Sequence, residues 1–194
     1  PIILGLNDDA WGQVDEDQLE MWTVSIDWDD PNNTVVTNID IPTAPFDTNP
    51  CAAPGFGFAC IPQPNGNGID GLPEVIMNQS HYRNVGSHES IVLNFITDAD
   101  GNELSGIRWM ELRRVNGSDW TVYQEGTYAP DDGLHRFMGG IAMDGNGNIA
   151  LGYSVSGLDE FPGLRFTGRR AGDPLGEMTV EEYIAVAGEG NVGG

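Results

Sequence analysis

The chain has 194 residues and is strongly acidic: 30 Asp and Glu stand against 8 Arg and no Lys, for a formal net charge of −22. Such a chain repels phosphate backbones and anionic lipid, which argues against nucleic-acid binding and against binding to a membrane surface. No segment approaches the roughly 20 apolar residues of a membrane helix, which argues against membrane insertion. Divalent cations are natural ligands for this charge, although a solubility adaptation to salty or extracellular surroundings explains it as well.

The first part of the chain predicts three strands followed by a long loop. Short alternating apolar runs bounded by turn residues indicate strands at 1–6, 19–28 and 33–41. Residues 42–73 are irregular, rich in Pro and Gly, and contain the two cysteines, Cys51 and Cys60. With no histidine near this pair, a local disulfide is favoured over a zinc site or two free thiols. A disulfide would brace the loop and indicates a secreted or cell-surface protein.

A repeat begins near residue 74. Predicted strands lie at 90–97, 106–114, 120–127, 137–143, 149–156 and 164–169. Two acidic turns, DADGN from Asp98 and DGNGN from Asp144, are 46 residues apart, a period typical of propeller blades. Residues 178–188 fit either a short helix or a strand.

These patterns predict one all-β domain over residues 1–194, with about four propeller-like blades that belong to a larger propeller. A β-sandwich, which needs no repeat, is the alternative. The N-terminal part does not repeat the 46-residue pattern cleanly. We therefore expect that the first and last strands do not close one sheet, and that the remainder of the polypeptide or another protein chain covers the open edges.

The acidic turns carry oxygen side chains at alternate positions, as does the first half of a calcium loop. The candidate calcium ligands are Asp98, Asp100, Asn102, Asp144, Asn146 and Asn148. Neither turn has a Glu at position twelve, which excludes an EF-hand, and plain hairpin turns favour the same residues. Asp8 and Asp9, with the acidic run from Asp27, form a second oxygen-rich candidate.

Four arginines stand beside an aromatic residue at strand-like positions and are candidates for binding a carboxylate or sulfate group. They are Arg83, Arg108, Arg136 and Arg165. Intramolecular salt bridges to the many acidic residues are the alternative. His88 and Glu89, in the densest cluster of reactive side chains, are further ligand-binding candidates. Because neighbours on a strand point to opposite faces, they would not share a catalytic site.

Several long segments resemble the C-terminal part of large secreted bacterial proteins with β-propeller-like repeats, a family without an established activity. Among them are YRNVGSHES, GIRWMELR, YQEGTYAPD, HRFMGGIAMDGNGNIALGYSVS and LRFTGRRAGDPLG. The resemblance implies an exported propeller-like domain that lacks upstream blades. It transfers no catalytic residue.

Two functional hypotheses follow. The first is an extracellular, non-enzymatic recognition or structural module, ordered by calcium. It is favoured because the sequence contains no recognised catalytic motif. The second is a propeller-type glycan hydrolase that uses convergent arginines and carboxylates. A carboxylate pair in a pocket that faces at least three of the four arginines would favour the hydrolase.

Overall fold

The computed structural model describes residues 1–51 and 59–193, and its regular structure is almost entirely β. The chain divides into two compact units, Pro1–Phe46 and Asp47–Gly194. Alternating apolar residues and frequent Gly, Pro and Asn turns favour strands over helices. The all-β prediction is confirmed.

The first unit contains one antiparallel sheet of three strands in chain order. The strands are β1 (Ile2–Asn7), β2 (Gln18–Ser25) and β3 (Val35–Pro42). Two short 3₁₀ helices, Asp9–Trp11 and Pro31–Asn33, occupy the connections, and each is capped by the preceding aspartate. Leu19, Met21 and Ile41 are buried in this unit.

The second unit begins with a four-stranded antiparallel sheet whose strands also follow chain order. They are β4 (His81–Asn84), β5 (Glu89–Asp98), β6 (Ser105–Arg114) and β7 (Thr121–Tyr128). Nearly every residue of β5 and β6 is buried. Since successive side chains point to opposite faces, both faces at the centre of this sheet are covered.

A second four-stranded sheet of the same kind follows. Its strands are β8 (His135–Met143), β9 (Ile149–Ser156), β10 (Gly163–Arg169) and β11 (Val180–Val186). The segment 178–188 thus contains a strand, Val180–Val186, and not a helix. A bulge between Phe137 and Gly140 interrupts the pairing of β8 with β9, and Met138 within it has a φ of 49°.

The β4–β7 and β8–β11 sheets pack face to face through one hydrophobic cluster. It consists of Val92, Ile107 and Trp109 from the first sheet with Ile141, Met143, Ile149, Leu151 and Tyr153 from the second. Trp109 and Leu151 are fully buried. Each large apolar side chain buried in this way contributes roughly 1.5–3 kcal/mol, so this contact holds the two sheets together.

Cys51 and Cys60 form a disulfide with their Cα atoms 5.4 Å apart, which confirms that prediction. Residues 52–58 of the bridged loop lie outside the described part of the chain. Strand β3 ends at Pro42, and in the described part of 43–73 regular pairing is limited to an isolated bridge between Ile61 and Ile69.

None of the three sheets closes on itself within the described residues, and β1 and β11 lie in different sheets. Meanders of four strands occur both in propeller blades and in sandwiches. The architecture is therefore all-β with three antiparallel sheets, and propeller blades remain a prediction.

Candidate functional site

In the first acidic turn, the carboxylates accept hydrogen bonds from the turn's own backbone. Asp98 accepts from the amides of Asp100 and Gly101 at 3.2 and 3.0 Å, and from Glu103 at 3.1 Å. Asp100 accepts from Asn102 at 2.8 Å, and this bond is the main reason that the pKa of Asp100 lies below its usual value. The geometry is that of side-chain-stabilised turns.

The second acidic turn has the same construction. Asp144 accepts from the amides of Asn146 and Asn148 at 2.8 and 2.9 Å, and from the side chain of Asn148 at 2.8 Å. The Asn148 side-chain bond contributes most to lowering the pKa of Asp144. In both turns a calcium ion would compete with amide donors for the same oxygens, and calcium binding there stays a prediction.

A third acidic group lies in the first unit, where oxygens of Asp8, Asp9 and Asp17 are within 4.8 Å of one another. Asp8 and Asp17 are buried, and Asp17 accepts a hydrogen bond from the Asp9 amide at 2.8 Å. Carboxylates converging in this way could hold a divalent cation. The sequence pointed to Asp8 and Asp9, whereas Asp17 joins them only through folding.

Two of the four candidate arginines, Arg136 and Arg165, pair with the same carboxylate, that of Glu182. Arg136 has a fully buried side chain and donates from Nε to Glu182 at 2.9 Å and from Nη2 to Asp132 at 2.8 Å. Arg165 donates from Nη1 to Glu182 at 2.8 Å and from Nη2 to Glu160 at 2.9 Å. These guanidinium groups belong to an intramolecular ion-pair network.

Burial alone would raise the pKa of Glu182. The hydrogen bonds from Arg136, Tyr153 and Arg165 outweigh it, so that the pKa lies below its usual value. Glu182 is therefore ionised at neutral pH and neutralises charge on both arginines.

The other two candidate arginines lie apart from this network. Arg108 pairs with Glu125 at 2.5 Å and also donates to Thr127. Arg83 lies on β4, and its buried Nε has no hydrogen-bond partner among the described residues. The four arginines do not meet in one pocket in the described part of the chain.

His88 and Glu89 also have separate surroundings. Glu89 accepts two hydrogen bonds from Arg114 and one from Tyr82. The Nδ1 atom of His88 lies 3.0 Å from the Ser87 hydroxyl. The two residues do not form an acid–base pair with each other.

A cleft of about 590 Å³ lies where the disulfide-bonded segment meets turns that connect the strands. Its lining includes Cys60, His135 and four acidic residues, Glu103, Asp132, Asp159 and Glu160. Asp132 and Glu160 are the acids already paired with buried or half-buried arginines. The cleft is therefore an acidic surface that favours cationic or hydroxyl-rich groups over anions.

The most distinctive surface is the side of the β8–β11 sheet that faces away from the β4–β7 sheet, called the outer face below. Strand register places on it the uncharged residues Gly140, Ala142, Ala150, Gly152, Leu164, Phe166, Val180, Tyr183 and Val186. Phe166 and Tyr183 stack with ring centroids 5.6 Å apart, and they are 43% and 52% exposed. These residues make an exposed apolar patch on a strongly acidic chain.

The sequence repeat relates this outer face to a face that is already covered. In the β4–β7 sheet, Ile96 lies two residues before the first acidic turn and pairs with Ile107. In the β8–β11 sheet, Ala142 occupies the equivalent position, two residues before the second acidic turn, and pairs with Ala150. Ile107 packs against the β8–β11 sheet, whereas Ala142 and Ala150 are exposed. The two sheets thus stack head to tail, and the outer face corresponds in sequence to the covered face of the β4–β7 sheet.

The next cross-strand pair along each sheet also corresponds between the covered face and the outer face. Asn94 pairs with Trp109 on the covered face, and Gly140 pairs with Gly152 on the outer face. In place of an indole ring, the two glycines leave a groove of about 350 Å³, whose lining also includes Leu164, Phe166, Asn78 and Arg165. The groove has room for a bulky side chain.

No known protein family, curated protein or solved structure shows significant similarity to this chain. In the described part of the chain, no helix is long and apolar enough to cross a membrane.

Proposed function

We propose that this chain is an extracellular, non-enzymatic structural and recognition module that docks a further β-sheet onto its outer face. The partner sheet belongs to the remainder of its own polypeptide or to another protein chain. The observation that carries the proposal is the correspondence between the exposed apolar residues of the outer face and the face of the β4–β7 sheet that is already covered.

The chemistry of the partner follows from the existing contact between the sheets. The β8–β11 sheet covers its predecessor with branched and aromatic side chains, Ile141, Leu151 and Tyr153 among them. A sheet that presents the same kind of side chains would cover Phe166 and Tyr183 in turn. Stacking of this kind is how propeller blades are arranged, which connects the proposal to the predicted fold.

Two further observations support an extracellular location. The disulfide is of the kind that persists in oxidising compartments. The charge of −22 keeps a secreted chain soluble despite its apolar face. Calcium, as a ligand of the acidic turns, remains part of the proposal.

The glycan-hydrolase alternative receives less support. The hydrolase hypothesis requires a carboxylate pair in a pocket that at least three of the candidate arginines face. In the described residues, Arg136 and Arg165 share Glu182, and Arg108 is paired with Glu125. The acidic cleft is lined by carboxylates but by none of these arginines.

The proposal is tested on the isolated chain, where the outer face has no partner. At high salt, when charge repulsion is screened, we expect concentration-dependent association in sedimentation and binding of an apolar dye. Phe166→Asp and Tyr183→Asp should suppress both. Trp28→Asp is the matched control, because Trp28 is an aromatic residue that is 85% exposed and belongs to the first unit.

A wild-type chain that stays monomeric and free of dye at high concentration would contradict the proposal. So would an equal response of the outer-face variants and the Trp28 control, since the association would then not be located on this face.

A further inference from the structure

A small pocket at the end of the β6–β7 hairpin has a chemistry opposite to that of the chain as a whole. Its volume is about 380 Å³. Polar groups in its lining come from Arg113, Arg114, His88, Ser87, Ser118 and Thr121, and among the described residues no carboxylate lines it. In a chain with 30 acidic residues, a pocket lined by two adjacent arginines and free of acids selects for negative charge.

Both arginines are held in place by an ion pair and by contact with an aromatic ring. Arg114 forms a two-pronged pair with Glu89, at 2.5 and 2.9 Å, and its guanidinium carbon lies 4.7 Å from the Trp120 ring centre. The guanidinium carbon of Arg113 lies 3.4 Å from the Tyr123 ring centre. Arginines fixed in this way lose little conformational freedom when a ligand binds.

Arg113 has N–H groups that donate to no described residue and can therefore donate to a ligand. Its Nε donates to Glu111 at 2.5 Å, and no other described residue accepts a hydrogen bond from it. Glu111 is almost fully buried and also accepts from Ser90 at 2.8 Å and Gln124 at 2.6 Å. The counter-charge therefore lies inside the sheet, shared among three donors, while the two terminal nitrogens of Arg113 remain for a ligand.

We propose that this pocket binds an oxyanion group, the sulfate or carboxylate of an acidic ligand, through the terminal nitrogens of Arg113. Two parallel N–H donors of a guanidinium match two oxygens of one such group. Ser87, Ser118 and His88 provide further polar contacts along the wall. Pockets from about 300 Å³ upward accommodate small ligands, so the volume admits one monosaccharide-sized group.

The experiment uses three probes on the full chain: inorganic sulfate, glucuronate and glucose. The readout is the NMR signal of the His88 ring, followed during titration. We expect a saturable shift with sulfate, glucuronate or both, and none with glucose. A response to sulfate alone identifies a sulfate ester as the source of the oxyanion, and a response to glucuronate alone identifies a carboxylate.

Two variants locate the site. Arg113→Gln should weaken binding at least ten-fold, and Arg113→Lys should bind with intermediate strength because it keeps the charge and loses the paired donors. Arg170→Gln, at an exposed arginine elsewhere, changes the net charge equally and should bind like wild type.

The proposal is overturned if neither anion shifts the His88 signal, or if Arg113→Gln and Arg170→Gln weaken binding equally. It is also overturned if Arg113→Lys binds as tightly as wild type, because the paired N–H donors would then contribute nothing. None of these outcomes depends on the outer face, so failure here and failure of the docking proposal are distinguishable.

Discussion

Glu182 joins all four strands of the β8–β11 sheet, and its removal should destabilise the second unit strongly. It lies on β11 and accepts hydrogen bonds from Arg136 on β8, Tyr153 on β9 and Arg165 on β10. Glu182→Gln keeps the volume of the side chain. It replaces one oxygen by an amide nitrogen, and at either position at least one arginine N–H then faces an amide N–H in place of its acceptor.

The expected loss is about 3 kcal/mol in free energy of unfolding. Breaking a buried ion pair by removing one partner costs roughly 3–5 kcal/mol. The lower end applies because the Glu182 side chain is 15% exposed and Arg136 retains Asp132. For a chain of this size the loss corresponds to a fall in Tm of about 6–12 °C.

Urea denaturation with the disulfide intact measures this loss. Glu181→Gln is the matched control, because Glu181 is the exposed neighbour on the same strand and carries the same charge. The control should stay within about 0.5 kcal/mol of wild type. If Glu182→Gln loses less than about 1 kcal/mol, the ion-pair network does not hold the four strands together.

Three further predictions concern the disulfide, the acidic turns and acid stability. Reduction of the bond between Cys51 and Cys60 should lower the free energy of unfolding by roughly 2–3 kcal/mol; an unchanged urea midpoint would contradict this. Added calcium should raise the Tm by mass action, and Asp144→Asn should reduce the rise; no response to calcium or chelator means that the turns act only as turns. Hydrogen bonds from Arg114, and then from Tyr82, lower the pKa of Glu89 from 4.5 to about 2. Its stabilising contribution is therefore full above about pH 4.5 and lost as the pH falls toward 2, and Glu89→Gln should remove this part of the acid titration of stability.

The sequence predicted most strands because their apolar residues alternate between clear turn signals. Strand β5 and the acidic turn after it follow from SIVLNFIT and DADGN alone. Strand β4 was missed because it has four residues, HYRN, whose polar character gives no alternating signal. The disulfide was predictable because the two cysteines had no competing partner.

The contacts that define the sites were not predictable in the same way. Glu182 lies 46 residues after Arg136, and no local pattern links the two. The outer face is assembled from glycines, alanines and aromatics on four strands, and any one of those strands, taken alone, gives no sign of it. The arginine pocket was missed because Arg113 and Arg114, unlike the four candidate arginines, have no aromatic neighbour in sequence.

The most direct measurement tests whether the outer face docks a sheet. Ala150, which is exposed on that face, is replaced by cysteine, and the chain is extended through a flexible linker by a second copy of residues 129–188 that keeps Ala150. The rate of maleimide labelling at position 150 is compared with that of the unextended chain. We predict that labelling slows at least ten-fold, and that Ile141→Asp with Leu151→Asp in the added copy restores the original rate. Equal labelling rates in all three chains would contradict the account.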